Sequence, residues 1–301
     1  MTSDKLTGRE IPGRPTISAD RVVAEASPTT SVSVSIVVYR SDPDLLRATV
    51  ASLGVALSYA HDSGVLATAI VDMVDNGDED PVELGEILGS VGDARWITQR
   101  VRSGGGNVGY GRGHNGPLLD SKADYHLILN PDVLLDPDAI AAAIRFLDSK
   151  PDVGLVAPHV RDMDGEQQYL CRAYPTVLVL FLRGFAPAPI RRLFQRYMHR
   201  HELRDRIGDR VEYAIPLVSG CFMFARRELL QRVGGFCPDY FMYFEDSDIS
   251  LAMGRVARIA YVPSVRIVHF GGGAARKGLR HTKMFVRSAA TFFRRNGLRI
   301  A

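Results

Sequence analysis

The chain has 301 residues, 46% hydrophobic and 24% charged, with a formal net charge of +3. These values exclude a wholly disordered chain, a collagen and a coiled coil, and they allow one large domain or two small ones. No apolar run reaches bilayer length, the polar N-terminus has no signal-peptide core, and Cys171, Cys221 and Cys237 show neither disulfide-framework nor zinc spacing, so a reducing, cytoplasmic compartment is expected.

Residues 1–30 are polar and aperiodic and read as a flexible tail. The β-branched run Val32–Tyr39 predicts a strand, and Pro43 opens an amphipathic helix carrying Leu45, Leu46, Val50 and Leu53. A strand over Ala67–Val74 stops at Asp75-Asn76-Gly77-Asp78. A short helix over Val82–Leu88 and a strand over Arg95–Val101 follow. A glycine-rich loop, 103–116, leads to a helix start at Arg112–Asn115. The buried strand Tyr125–Leu129 ends at Asn130-Pro131-Asp132, and Asp136-Pro137 caps a helix with Ile140, Ile144 and Leu147. This alternation predicts a βαβ parallel sheet over the first half.

The second half is less regular. Strands are expected at Val153–Pro158, Val218–Phe224 and Ile259–Val262, with a further strand-like run, Val265–Val268, before His269. Helices are expected over the basic segment 183–210, at Arg227–Val233, at Glu245–Met253 and at His281–Arg295.

Ligands of open α/β sheets bind beyond the carboxyl ends of the strands. Asp75, the glycine loop and Asp132 each follow a predicted strand, so they should converge. Asp75 alone reads as a turn; within the cluster it could accept hydrogen bonds from a nucleobase. An unpaired Asp132 at the end of a buried strand calls for a cation, and a hard divalent metal bridging to pyrophosphate would satisfy it. Gly104, Gly106 and Gly109 spell G-x-G-x-x-G, the basis of an alternative reading as a dinucleotide-dependent oxidoreductase. That fingerprint belongs after the first strand of its unit, and here it follows the third. Glu245, Asp246 and Asp248 crowd one helix start behind apolar Phe241–Phe244, which raises carboxylate pKa values and suits a general base near neutral pH. His269 could be a metal ligand or a pyrophosphate contact.

Charge is unevenly spread. From Ile249 onward there are eleven Lys or Arg and no acid, leaving 34 acids against 26 bases before it. A second stretch, 183–210, has eight Arg against Glu202, Asp205 and Asp209, directly after the apolar run Val177–Leu182. Arginines beside hydrophobic residues suit attachment to a membrane surface. A nucleic-acid module using the basic face ranks last, because it leaves the acids at strand ends unexplained.

Taken together, Val74-Asp-Asn-Gly77, Gly106-Asn-Val-Gly-Tyr-Gly-Arg-Gly-His-Asn115, Leu129-Asn-Pro-Asp-Val133, Ser219–Arg226, Tyr240–Ile249 and Tyr261-Val-Pro…His269 resemble the family 2 glycosyltransferases of GT-A fold. They are most similar to bacterial rhamnosyltransferases of O-antigen and cell-wall assembly. The resemblance, over about Val32–Arg295, implies an α/β GT-A domain: a mostly parallel Rossmann-like sheet with helices on both faces. Residues 31–301 would form one domain, with 31–150 binding the nucleotide sugar and 151–301 the acceptor and the catalytic base. The implied donor site is Asp75, Asn76, Asn107, Gly109, Gly111, Asn115 and Asn130. Asp132 and His269 would bind Mg²⁺ or Mn²⁺, although Asn130 stands where the first Asp of the family's metal motif is usual. Asp246 would be the base, with Glu245 beside it. The implied reaction is inverting, metal-dependent transfer of L-rhamnose from dTDP-β-L-rhamnose to a lipid-pyrophosphate-linked glycan or lipopolysaccharide acceptor. The enzyme would sit peripherally at the inner face of the plasma membrane and bind no nucleic acid.

Overall fold

The computed structural model describes residues 29–184, 186–271 and 279–300. The tail expected over 1–30 lies outside them as far as residue 28. Strand β1 (Ser31–Val38) sets the layering. It alternates Val32, Val34, Ile36 and Val38 with Ser33 and Ser35, all buried, so the aliphatic residues enter one helix layer and the serines the other. Helix α1 (Pro43–Asp62) begins where the Asp42 carboxylate accepts from the Asp44 and Leu45 amides, with Pro43 preset for the first turn. It lays Leu46, Val50, Leu53 and Leu57 against the aliphatic face of β1. Strand β2 (Thr68–Asp75), α2 (Pro81–Gly89), β3 (Ile97–Arg102), α3 (Tyr110–Asp120) and β4 (Tyr125–Leu129) complete this half. Its strands are all parallel, in the order β3-β2-β1-β4.

The chain continues through β5 (Val133–Leu135), α4 (Ala139–Ser149), β6 (Val153–Arg161), β7 (Gln167–Gln168), α5 (Val177–Gly184), α6 (Ala188–Leu193), α7 (Gln195–His201) and β8 (Glu212–Tyr213). Strand β9 (Phe222–Arg226), α8 (Arg227–Arg232), α9 (Glu245–Gly254), β10 (Arg258–His269) and α10 (Leu279–Asn296) follow. The sheet extends past β4 as β9-β6-β10-β5. Here the expected parallel character gives way to a mixed sheet. β9 runs antiparallel to β4 and β6, and β5 antiparallel to β10. The reversal matters for the site. Phe222, the first residue of β9, pairs with Leu129, the last of β4, so the residues just before β9 arrive at the carboxyl edge of the parallel strands.

Other departures have local causes. The run Val218–Phe224 becomes a strand only at Phe222. The basic segment expected as one helix divides into α5, α6 and α7, with Pro187 and Phe194 at the breaks. Ile259–Val262 and Val265–Val268 are one strand, β10, with an irregular register between Val262 and Arg266. Asp136 does not cap α4 with its side chain. Arg161 and Arg266 hold it instead, at 3.1 and 2.8 Å.

The serine face of β1 carries a buried polar row. Ser121 Oγ donates to Ser33 Oγ (2.8 Å); Ser33 Oγ meets His126 Nδ1 at 2.7 Å, and Ser35 Oγ bridges His126 Nε2 (2.9 Å) and His114 Nδ1 (2.7 Å). Burial holds His126 at about 3 and His114 well below the ordinary imidazole value. The unfolded chain binds these protons near pH 6.5, so folding stability is fully present above that pH and is lost as the pH falls towards 3. We expect His126 alone to contribute a loss of roughly 3 kcal/mol between pH 7 and 4.5. Urea midpoints of wild type and His126→Asn across that range check this: the variant should show the shallower slope, and equal slopes would refute it.

Candidate active site

Asp75 closes β2, and its Oδ1 accepts from the Gly77 amide at 2.8 Å, a local turn that leaves the residue at the sheet edge. Asn76 is buried. Its backbone amide donates to Val38 O (2.8 Å) and its side-chain Nδ2 to Gly109 O (3.0 Å), which ties the end of β2 to the glycine loop.

Within that loop, Asn107 Oδ1 accepts from the Gly109 amide at 3.1 Å. Gly109 has φ +94°, and a Cβ there would collide with Phe241 O. The Tyr110 amide also donates to Phe241 O, at 3.1 Å. Gly111 lies against the Phe236 ring. Asn115 donates from Nδ2 to Phe236 O and accepts from Phe236 N, both at 2.8 Å. Gly111 and Asn115, expected to line the donor site, are therefore occupied in packing α3 onto residues 236–241. Asn107 shapes the turn into α3.

Asn130 donates its amide to Cys221 O (2.9 Å), which joins the end of β4 to the residues before β9. Two residues on, Asp132 is fixed by its own backbone: its carbonyl accepts from Phe270 N at 3.0 Å, beside the β5–β10 pairing of Val133 with His269. Its Oδ1 is buried with no hydrogen-bond partner and lies 3.6 Å from His269 Nε2. Gln168 Oε1 faces His269 Nδ1 at 3.1 Å, while Gln168 Nε2 donates to His269 O at 2.9 Å. With Nδ1 donating, the Nε2 lone pair points towards Asp132. Two acceptors aimed together with no proton between them fit a divalent cation. Among the described residues no third His, Cys, Asp or Glu completes the set.

The acids at the start of α9 divide. Asp248 turns towards α10 and accepts from Tyr240 Oη (3.1 Å) and Asn296 Nδ2 (2.7 Å). Asp246 Oδ2 accepts from the Gly220 amide at 3.2 Å and Oδ1 from the Ser247 amide at 2.7 Å. Burial pushes the carboxyls of Glu245 and Asp246 upward, and the charge of Asp246 adds to the rise at Glu245. The two amides favour the ionised form of Asp246, whereas Glu245 Oε2 is buried without a partner. These effects place the shared proton on Glu245 and leave Asp246 ionised at neutral pH. The turn that delivers them is strained. Tyr243 and Phe244 are consecutive left-handed residues, at φ +72° and +68°. Their rings are held by α10, where Tyr243 Oη meets His281 Nδ1 at 2.9 Å and Phe244 packs on Phe285 and Phe292.

Tyr110 joins the two halves. Its hydroxyl donates to Gly220 O at 2.7 Å, and Asp132, Glu245 and Asp246 all raise its pKa through their charges, after burial as the first cause. Cys221 likewise feels both Asp132 and Asp246. The cation-fitting pair and the Glu245 and Asp246 carboxylates thus share one region at the carboxyl edge of the sheet. Asn76 and the glycine loop bridge that region to Asp75. Two clefts of about 730 and 640 Å³ lie elsewhere, beside Arg255 and Asn296. Sequence reasoning missed Tyr110 and Gly220, although both sit inside motifs it had singled out. Removing the phenol frees the Gly220 carbonyl and should loosen the residue whose N–H favours ionised Asp246. Tyr110→Phe is expected to lower kcat about tenfold, leave the donor KM unchanged and shift the acid limb of the pH–rate profile upward. A KM increase with an unmoved profile would contradict it.

The family model described as glycosyltransferase like family 2 matches residues 28–295. An N-acetylglucosaminyl-diphospho-decaprenol L-rhamnosyltransferase of Mycobacterium tuberculosis is 28% identical over 209 residues, 65% of this chain and 65% of that protein. The rhamnosyltransferase WbbL of Escherichia coli K12 is 28% identical over 175 residues, covering 54% and 61% respectively. The chain therefore spans just under two thirds of the length of these curated relatives. Among solved structures, GalNAc-T7 with UDP, GalNAc and Mn²⁺ superposes with a TM-score of 0.58 at 15% identity, over 87% of this chain and 48% of that one. The G-x-G-x-x-G run follows β3, an edge strand, and not the central β1 expected of a dinucleotide site. A glycosyltransferase α/β sheet with its acids gathered at one edge, matched by a family model over nearly the whole chain, makes this protein a member of glycosyltransferase family 2.

Proposed function

We propose that the protein transfers L-rhamnose from dTDP-β-L-rhamnose to a hydroxyl of a lipid-linked or polysaccharide glycan, with inversion at the anomeric carbon. The observation that carries this reading is Asp246, a half-buried carboxylate held by two backbone amides in the region that contains Asp132 and His269. In this reading Asp75 and Asn76 meet the nucleobase end of the donor, and the glycine loop passes close to the diphosphate. Asp246 takes the proton of the acceptor hydroxyl as its oxygen bonds to the anomeric carbon. The bond from that carbon to the phosphate oxygen breaks, and its electron pair leaves with the nucleoside diphosphate. A divalent cation held by Asp132 and His269 would supply charge neutralisation for that leaving group. Among the described acids of this turn, Glu245 holds the shared proton and Asp248 faces α10, which supports one displacement giving an α-L-rhamnoside. The names of the mycobacterial and E. coli relatives support the sugar, and the former supports a lipid-diphosphate acceptor.

A thermal-shift screen of dTDP-, UDP- and GDP-sugars, with and without Mn²⁺ or Mg²⁺, tests the donor. Saturating dTDP-rhamnose at about 100 times Kd should stabilise the fold by about 2.7 kcal/mol, and only with the metal. Stabilisation by NAD(P) in place of every nucleotide sugar would overturn the proposal.

A further inference from the structure

Within the basic stretch 183–210 stands an ordered projection with no buried residue. Every residue from Pro187 to Arg196 is exposed, including all of α6. The projection carries Ile190, Leu193 (79% exposed) and Phe194 beside Arg191, Arg192 and Arg196. No Asp or Glu occurs between Gln168 and Glu202, so no acid in the segment neutralises these arginines. A helix that leaves its apolar side chains in water and holds only cations around them is complementary to a surface that is oily inside and anionic outside.

The placement of this projection is specific. At its base, α5 is joined to the C-terminal strand of chain: Val177 N donates to Arg299 O (3.0 Å) and Leu178 N to Ile300 O (3.1 Å). Tyr197 of α7 closes onto Thr176 at 2.8 Å. Arg299 and Ile300 thereby lie at the base of the projection. The projection also leads towards Asp246. Glu202, just past α7, pairs with Arg172 at 3.4 Å, and the Arg172 amide donates to Leu217 O at 2.9 Å, three residues before the Gly220 amide that holds Asp246. Among the described residues no helix is long and apolar enough to cross a membrane, so a contact made here is one of surface attachment.

We propose that α5–α7 and the adjoining C-terminal segment form a docking face for an anionic lipid bilayer, seated on the Asp246 side of the molecule. This deepens the acceptor reading above and rests on it only for the purpose served: a lipid-linked acceptor would present its sugar from the plane on which the enzyme lies. The arginines would meet lipid phosphates while Ile190, Leu193 and Phe194 enter the headgroup–acyl boundary.

The test is co-sedimentation of the full chain with phosphatidylglycerol–phosphatidylcholine vesicles and with phosphatidylcholine alone, at low and high salt. Wild type should pellet with the anionic vesicles at low salt and be released by high salt. Arg191→Glu/Arg192→Glu, and separately Leu193→Ser, should each weaken that binding roughly tenfold or more. Their melting temperatures should stay unchanged, since both replace exposed side chains. Wild type that stays in the supernatant with anionic vesicles at low salt overturns the inference. So does dimerisation abolished by Leu193→Ser, which would make a second copy the occupant. Rhamnose transfer to a short-chain, detergent-free acceptor separates the two proposals. If the docking variants keep that activity, the sugar-transfer reading stands whatever the vesicles show. If wild type pellets but transfers nothing, docking stands and that reading falls.

Discussion

Asp246→Asn is expected to lower turnover by about 10³-fold while leaving the affinity for the nucleotide sugar within a factor of a few. The amide is nearly isosteric with the carboxylate but has one acceptor oxygen, so it can accept from the Gly220 or the Ser247 amide and not from both, which Asp246 holds on separate oxygens. What disappears is the capacity to take a proton. The donor contacts proposed here lie on β2, the glycine loop and the β4–β5 connection, and they do not need that carboxylate. Glu245→Gln separates the two acids. The structure assigns the shared proton to Glu245, so a neutral amide reproduces its state at neutral pH, and this variant should retain most of its rate. Single-turnover kinetics with labelled donor, beside equilibrium binding of the nucleoside diphosphate, measure both quantities. A dead Glu245→Gln with an active Asp246→Asn would transfer the role of base to the neighbour.

Asp132→Asn should have the second-largest consequence, a fall of roughly 100-fold in metal-supported turnover together with loss of Mn²⁺-dependent stabilisation by nucleotides. Asp132 Oδ1 is buried with no donor of its own, so the wild-type site holds an uncompensated negative charge until a cation arrives. Asn removes the charge and with it the attraction. The variant should therefore melt no lower than wild type in a chelator yet gain nothing from Mn²⁺ plus nucleotide. Gln168 acts one step back. Its carbonyl fixes the tautomer that frees His269 Nε2, so Gln168→Leu is expected to weaken Mn²⁺ binding about tenfold. Calorimetric Mn²⁺ titrations of the three proteins decide the order. Equal affinities would remove Asp132 and His269 from the metal site.

The sequence made some of this structure legible and hid the rest for definable reasons. β1, α1 and β4 announce themselves because alternation, an Asp-Pro start and an uninterrupted apolar run are local signals. The start of β9 is misplaced because Val218 and Cys221 are buried apolar residues continuous with the strand that follows, and hydrophobicity cannot distinguish a buried bend from a strand. β5 escapes notice since three residues show no period. Acids at strand ends could be nominated from topology alone. Their support could not, because Tyr110 reaches Asp246 through the carbonyl and the N–H of Gly220, over sequence separations of 110 and 26 residues. Backbone partners leave no trace in side-chain spacing. The same holds for the bonds between Asn115 and the Phe236 backbone, which the glycine motif does not announce.

The left-handed pair Tyr243–Phe244 has a bearing on where the protein can tolerate change. Two such residues together cost on the order of 2 kcal/mol or more, and the rings that retain them rest on Phe285, Phe292 and His281. Truncating those partners would let the bend relax towards ordinary backbone and carry the start of α9 with it. The aim of Glu245 and Asp246 is thus governed by aromatic residues of another helix, far along the chain, whose substitution would read as a loss at the acids themselves.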